Sequence, residues 1–152
     1  MKPRMNQDKN RKTYILDTSA LLTYIEDEDG ADQVDALLAE AENKEVDIYI
    51  SFISITEVYY ITLQEKDETE ALRRIKLIQA LAVNFVESYE DLNLAAGKLK
   101  ATNRISLADS YIAALCQEYS EVLVHKDPEF EKISSSLKEH RLPYKSPGAG
   151  KS

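Results

Sequence analysis

Short apolar runs alternate with longer segments of helical period along most of the chain. Such runs are typical of strands buried in a parallel sheet, and the longer segments are typical of the helices that connect them. The pattern predicts strands at 13–16, 46–50, 83–86 and 121–124. It predicts a short helix from residue 19 and further helices at 31–43, 53–65, 68–82, 91–102 and 107–119. We therefore predict an α/β fold built from βα units around a parallel sheet.

The composition changes near residue 134, where three serines are followed by several prolines and glycines. We predict one folded domain over residues 13–133, preceded by a basic N-terminal extension over 1–12. Residues 134–152 are predicted as a C-terminal tail. This tail contributes at most a short edge strand around 142–144 and is otherwise disordered.

Four acidic residues stand where apolar runs end or where predicted helices begin. Asp17 and Asp127 follow strands, whereas Glu57 and Asp109 open helices. All four are expected at the carboxyl edge of one parallel sheet, where ligands of open α/β sheets bind. Carboxylates gathered there repel each other, and oxygen ligands without cysteine favour Mg²⁺ or Mn²⁺. One ion, or two ions ~3.5–4 Å apart, would then support hydrolysis of a phosphodiester bond.

Each acid taken alone also has an interpretation without a function. Asp17 and Asp127 fit ordinary turn and helix-cap chemistry, because Asp-Thr-Ser follows a strand and Asp-Pro commonly opens a turn. Glu57 and Asp109 each stand three residues after a serine, as the acid of a capping box does. The occurrence of all four at one sheet edge favours the metal site.

Charge and cysteine content limit the classes of protein to which the chain can belong. The chain has 152 residues and a net charge of −8, so a substrate that carries phosphates needs local cations or bound metal ions to approach it. The single cysteine, Cys116, excludes an internal disulfide and fits a reducing compartment. No apolar stretch approaches the roughly 18 residues of a membrane span, so we predict no membrane association and a cytoplasmic location.

Four motifs in order carry a resemblance to a known family. They are YILDTSALL at 14–22, ISITEV at 53–58, ISLADSYIAA at 105–114 and VLVHKDPEF at 122–130. With these motifs the sequence resembles a PIN-domain ribonuclease over about residues 14–133, and most closely the VapC-type toxins of toxin–antitoxin pairs.

The resemblance implies a three-layer α/β/α sandwich with a central, mostly parallel sheet of four to five strands. It implies an endoribonuclease that depends on Mg²⁺ or Mn²⁺ and hydrolyses RNA. It assigns Asp17, Glu57, Asp109 and Asp127 as catalytic acids and metal ligands, with Ser19 as a hydroxyl that supports the metal-bound carboxylate. The partners it implies are an RNA substrate, a second copy of the chain in a homodimer, and a cognate antitoxin.

Two positions depart from the family pattern. His125 stands where the family usually has threonine or serine, which is expected to change pH dependence or metal preference. Glu129 stands where the family commonly has aspartate. It is either a reserve ligand or a solvated helix residue, and we favour the latter.

The roles of three basic residues that lead into the helix of Asp109 remain open. Lys98, Lys100 and Arg104 either bind RNA phosphates or belong to a solvated helix face.

Two other functions were weighed against the ribonuclease. A phosphatase with Asp17 as its nucleophile needs a second aspartate two positions later, where Ser19 stands. The alternative that we keep is a catalytically weak or inactive PIN-fold protein that acts as an RNA- or protein-binding module. Such a module would show almost no stabilisation by divalent ions.

Overall fold

A computed structural model of the chain describes residues 11–119 and 121–144. Its strands are β1 (Lys12–Leu16), β2 (Val46–Ser51), β3 (Asn84–Val86), β4 (Val122–His125) and β5 (Lys138–Arg141). Its α-helices are α1 (Thr18–Ile25), α2 (Ala31–Glu42), α3 (Phe52–Glu65), α4 (Glu68–Gln79), α5 (Glu90–Thr102) and α6 (Leu107–Tyr119). A 3₁₀ helix spans Pro128–Ser136.

The five strands form one sheet in the order β3-β2-β1-β4-β5, and every neighbouring pair is parallel. From β1 the chain builds outward through β2 and β3, then returns through α5 and α6 to place β4 on the other side of β1. The strand order therefore reverses between β1 and β4. In open α/β sheets such a reversal leaves a crevice at the carboxyl ends of the two strands, and ligands bind there.

Side chains on the central strands alternate between two buried layers. Ile15 and Leu123 lie in a core with residues of α5 and α6, whereas Leu16 and Val124 lie in a core with residues of α1 to α4. This alternation follows from the two-residue period of a strand whose faces are both covered. The predicted three-layer α/β/α sandwich with a parallel sheet is thus confirmed.

The differences from the predicted elements lie mainly after β4. The 3₁₀ helix was not predicted, and the edge strand is β5 at Lys138–Arg141 rather than at 142–144. Because β5 pairs with β4, the sheet continues past the predicted boundary at residue 133. Its four residues, Lys-Glu-His-Arg, have no apolar alternation, as is common in edge strands. Helix α4 also ends at Gln79, three residues before its predicted end.

Two predicted segments fall partly outside the described residues. Residues 1–10 of the predicted basic extension and 145–152 of the predicted tail are among them. Lys12, which the prediction assigned to the extension, is the first residue of β1. In the part of the chain that the structure describes, no helix has the length and apolarity needed to cross a membrane.

Candidate metal centre

Three aspartates from distant parts of the chain meet in the crevice between β1 and β4. Asp17 directly follows β1, Asp127 is the second residue after β4, and Asp109 lies in the first turn of α6. One carboxylate oxygen of each residue lies within 4.8 Å of the other two. Asp17 and Asp109 are buried, and Asp127 is half-buried. The structure therefore brings three of the four predicted acids together.

Asp17 is both a helix cap and a member of this group. One of its oxygens accepts a hydrogen bond from the Ala20 N–H at 2.8 Å, which caps α1 as the sequence predicts. The Ser19 hydroxyl lies 2.7 Å from each carboxylate oxygen and donates to them. Ser19 in turn accepts from the Lys126 N–H at 2.8 Å. Ser19 thus fixes the Asp17 carboxylate and links it to the segment that carries Asp127.

The capping box at the start of α6 is completed by a residue from elsewhere in the chain. The Ser106 hydroxyl accepts from the Asp109 N–H at 3.1 Å, which is the first half of the motif. The second half, an acid that accepts from the Ser106 N–H, is supplied by Glu129. The Asp109 carboxylate is therefore not used as a cap and faces Asp127 instead. The expectation that Glu129 is only a solvated helix residue is wrong, because Glu129 is half-buried and caps α6.

Glu57 approaches the centre from α3 but lies outside the group of three. Its Oε1 accepts a hydrogen bond from the Thr18 hydroxyl at 2.5 Å, so Glu57 is bound to the residue that follows Asp17 in the chain. Its capping-box interpretation is wrong. Helix α3 begins at Phe52 with Ser51 as its cap, which places Glu57 in the second helical turn.

His125 connects Asp127 to the edge strand β5. The buried imidazole accepts from the Asp127 N–H through Nδ1 at 3.1 Å, and its Nε2 lies 3.0 Å from Glu139 Oε1. The Nδ1 acceptor role assigns the ring proton to Nε2, which donates to Glu139. Burial lowers the pKa of His125, although the hydrogen bond to Glu139 opposes this, so the ring is neutral at pH 7.

Burial and mutual repulsion raise the pKa values of three acids at the centre. Burial raises the pKa of Asp17 to about 7 against hydrogen bonds from Ala20 and Ser19, and the charges on Asp127 and Glu57 add to the shift. Burial also raises the pKa of Asp109, and so do a hydrogen bond shared with Asp127 and the negative charges nearby.

The pKa of Glu57 shifts in the same direction. Burial raises it, the Thr18 hydrogen bond lowers it, and Asp127 and Glu129 raise it further. A bound cation would favour the ionised forms of these buried acids and so would oppose the shifts.

The donor set fits a hard divalent cation. The three converging groups offer only carboxylate oxygens, which Mg²⁺ and Mn²⁺ prefer and which are poor ligands for softer metals. The nearby histidine does not compete as a ligand, because both of its ring nitrogens are engaged with Asp127 and Glu139.

The three predicted basic residues are all exposed, and the structure does not gather them at this centre. Lys98 lines a separate hollow beside Gln117 and Glu118. Those two residues lie eight and nine positions after Asp109 on α6, roughly 12 Å along the helix at 1.5 Å per residue. Arg104 is nearer, because it precedes Ser106 by two residues and its carbonyl accepts from Lys132 Nζ at 2.6 Å.

Sequence reasoning missed three residues that contact the centre. Thr18 holds Glu57, Glu139 holds His125, and Lys126 is a buried lysine that packs between the site and a cavity. The position of Thr18 beside Asp17 was the one local signal. The other two contacts depend on how β4, β5 and α1 come together, and no spacing along the chain reports that.

Comparisons with known proteins agree with this architecture. The sequence profile of the PIN domain matches residues 14–135. Among curated proteins, no significant sequence match was found.

Solved structures give the same fold at low identity. VapBC2 from Rickettsia felis, bound to a DNA fragment from its promoter, matches with a TM-score of 0.68 at 18% identity, over 86% of this chain and 99% of that one. DNA-bound VapBC from Salmonella typhimurium matches at 0.67 and 16% identity, over 86% and 98%. VapC20 from Mycobacterium tuberculosis, a toxin that cleaves the sarcin–ricin loop, matches at 0.63 and 14% identity, over 79% and 94%.

Proposed function

The chain belongs to the PIN domain family, and from this premise we propose that it is an endoribonuclease that depends on Mg²⁺ or Mn²⁺ and hydrolyses RNA phosphodiester bonds. The observation that carries the proposal is the meeting of Asp17, Asp109 and Asp127 within 4.8 Å at the sheet crevice. Three carboxylates in that place are unfavourable for stability unless a cation binds. A binding module without chemistry would gain nothing from keeping them.

Each residue of the centre has a role in this proposal. Asp17, Asp109 and Asp127 would hold the cation, and Glu57 would complete the acidic set from α3. Ser19 keeps both oxygens of Asp17 in one orientation through its hydrogen bonds. A bound divalent ion supplies Lewis-acid activation of water and neutralises charge on the phosphate. The protons on Asp17 and Asp109 leave when the ion binds, because ligands must be deprotonated.

The partners follow from the structural relatives. Several similar structures are complexes of a toxin with its antitoxin, among them those from Rickettsia felis, Salmonella typhimurium and Klebsiella pneumoniae. They support the proposal that this chain is a toxin neutralised by a cognate antitoxin. VapC20 is a toxin that cleaves the sarcin–ricin loop, which supports RNA as the substrate class. The homodimer and the cytoplasmic location stay predictions.

The proposal is tested by RNA cleavage. A mixed set of structured and single-stranded RNAs is incubated with the protein in Mn²⁺, Mg²⁺ or EDTA, beside Asp17→Asn and the matched surface variant Asp35→Asn on α2. We expect cutting that needs the metal, is retained in Asp35→Asn and is lost in Asp17→Asn. Cutting that persists in EDTA or in Asp17→Asn would contradict the mechanism. Absence of cutting together with absence of any stabilisation by Mn²⁺ would favour the binding module.

A further inference from the structure

A cavity of about 320 Å³ opens next to the acidic centre, and Ser19 and Lys126 form the wall that the two share. This volume lies within the range of small-ligand pockets. Leu22, Ile61 and Tyr144 contribute apolar surface to the cavity. Three glutamates, Glu26, Glu28 and Glu65, also line it, and Glu26 is paired with Arg74. Among the described residues that line it, Lys126 is the only cation.

Lys126 is buried to an extent that is unusual for a lysine. Its side chain is 5% exposed, and its ion partner is Glu28 with Nζ and Oε1 3.8 Å apart. That separation is too long for a hydrogen bond. Lysines are almost never fully buried unless they are paired, because desolvation of the ammonium is unfavourable. The ammonium is therefore held by the fold in a place where a stronger anionic ligand would stabilise it.

The backbone of Lys126 is tied to the acidic centre. Its N–H donates to Ser19 at 2.8 Å, and Ser19 donates to Asp17 at 2.7 Å. The next residue, Asp127, belongs to the group of three aspartates. An anion on Lys126 would thus lie beside the phosphate that reacts at the centre.

Building on the proposed function, we propose that Lys126 binds a phosphate of the RNA next to the cleaved one and that the cavity holds the attached nucleotide. Lysine binds phosphate as a point charge, without the two-pronged geometry of arginine. The apolar walls provide contact area for a base or ribose without sequence readout. In the protein without RNA, the Glu28 carboxylate lies 3.8 Å from the ammonium. It would give way to a phosphate oxygen that reaches the ammonium within hydrogen-bond distance.

The test separates KM from kcat for cleavage of a mixed-sequence single-stranded RNA with a fluorophore and a quencher, in Mn²⁺ at several KCl concentrations. The variants are Lys126→Gln, Lys126→Arg and Glu28→Gln. The control is Lys44→Gln. Lys44 is an exposed lysine two residues before β2, at the amino ends of the strands and therefore opposite the acidic centre. For Lys126→Gln we expect KM to rise about tenfold with kcat nearly unchanged. The slope of log(kcat/KM) against log[salt] should become shallower by about 0.7, the value for one lost contact to single-stranded nucleic acid.

The other variants distinguish binding from a structural role. Lys126→Arg keeps the charge and should restore KM to near the wild-type value. Glu28→Gln removes the competing carboxylate and should lower KM, which keeps the proposal testable if Lys126→Gln fails to fold. Unchanged KM and salt slope in both Lys126→Gln and Glu28→Gln, with only thermal stability reduced, would overturn the inference and leave Lys126 as a structural ion pair. Failure of the wild type to cut any RNA would instead overturn the proposed function, and this inference with it.

Discussion

Two clusters of buried charge in this chain differ in what neutralises them. On the α3–α4 pair, Arg74 is 4% exposed and lies 2.8 Å from Glu70 and 3.0 Å from Glu26. Hydrogen bonds from Arg73 and Arg74 lower the pKa of Glu70 to about 2. At the sheet crevice, burial raises the pKa of Asp17 to about 7. The protein's own arginines lower the pKa of Glu70, whereas at the crevice burial and neighbouring acids raise the pKa of Asp17.

The difference indicates which cluster serves structure and which serves a ligand. In the Arg74 cluster, the fold itself supplies both the acids and the arginine that neutralises them. The crevice cluster lacks a cation among its members, yet Ser19, Thr18, His125 and Glu129 hold its parts in place by hydrogen bonds. A buried group of carboxylates that the fold orders but does not pair with a cation is typical of a functional site. The following variants break or sharpen this contrast, from the largest expected effect to the smallest.

Asp17→Asn should separate activity from stability at the crevice. We expect RNA cleavage to fall at least about a hundredfold, because a metal ligand is lost. In EDTA at pH 7.5 the variant should be more stable than the wild type by about 2 kcal/mol, since the buried charge is gone and asparagine still caps α1. Initial cleavage rates and urea unfolding provide the two readouts. Equal loss of stability and activity would show that Asp17 acts only through the fold.

Arg74→Met should lower the stability of the fold and leave the metal centre unchanged. Removing the buried cation takes away the partner of Glu26 and leaves Glu70 with Arg73 alone, and we expect the free energy of unfolding to fall by about 2–3 kcal/mol. Affinity for Mn²⁺ should not change. The matched control is Arg73→Met, whose side chain is 57% exposed and whose removal should change stability by less than about 0.5 kcal/mol. A loss of Mn²⁺ binding in folded Arg74→Met would mean that the two clusters are coupled.

Glu139→Ala tests whether β5 helps to position Asp127. Without Glu139 the His125 ring loses the acceptor that fixes its orientation, so the bond from the Asp127 N–H should weaken. Outer-shell changes of this kind lower metal affinity by about tenfold. Glu139→Gln keeps an acceptor oxygen and should preserve most of the affinity, as measured by Mn²⁺ titration. If both variants bind Mn²⁺ like the wild type, the histidine is only a core residue.

The pH dependence of stability should have opposite signs at the two clusters. The pKa of Asp17 is higher in the folded protein than its ordinary value of 3.8, so its contribution is complete below pH 3.8 and is lost as pH rises through about 7. Glu70 has a lowered pKa, so its contribution is present above its ordinary 4.5 and is lost as pH falls through about 2.

Urea midpoints in EDTA and in Mn²⁺ at pH 5.5 and pH 7.5 measure the crevice part of this behaviour. In EDTA the wild type should lose about 2 kcal/mol between these values, and saturating Mn²⁺ should remove the loss. Asp17→Asn in EDTA should show a smaller loss than the wild type. A wild type that is more stable at pH 7.5 than at pH 5.5 in EDTA would contradict the raised pKa.

The sequence was most informative where a single element controls the outcome. The apolar runs predicted β1, β2 and β4 closely, and their parallel arrangement is enough to bring Asp17 and Asp127 together. It was least informative where contacts join elements that are distant in the chain. Glu129 was predicted as a solvated residue, yet it completes the cap of α6, because the 3₁₀ helix after β4 packs beside Ser106.

The sequence was also a poor guide to the polar edge strand β5. Nothing in Lys-Glu-His-Arg predicts a strand, so the predicted edge strand was placed at 142–144 instead of 138–141. The contact of Glu139 with the buried His125 could not be anticipated. Lys126 was overlooked for a related reason. Its burial depends on α1 and on the loop of Glu28, which pack against it from more than ninety residues earlier in the chain.

The central claim is that the crevice aspartates, and not the arginine-paired acids, bind a divalent cation. Calorimetric titration of Mn²⁺ at pH 7.5 into wild type, Asp109→Asn and Arg74→Met tests it most directly. We predict clear binding to the wild type, binding at least about tenfold weaker in Asp109→Asn, and unchanged binding in Arg74→Met. A wild type that does not bind Mn²⁺, or an Asp109→Asn variant that binds it as tightly as the wild type, would contradict the claim.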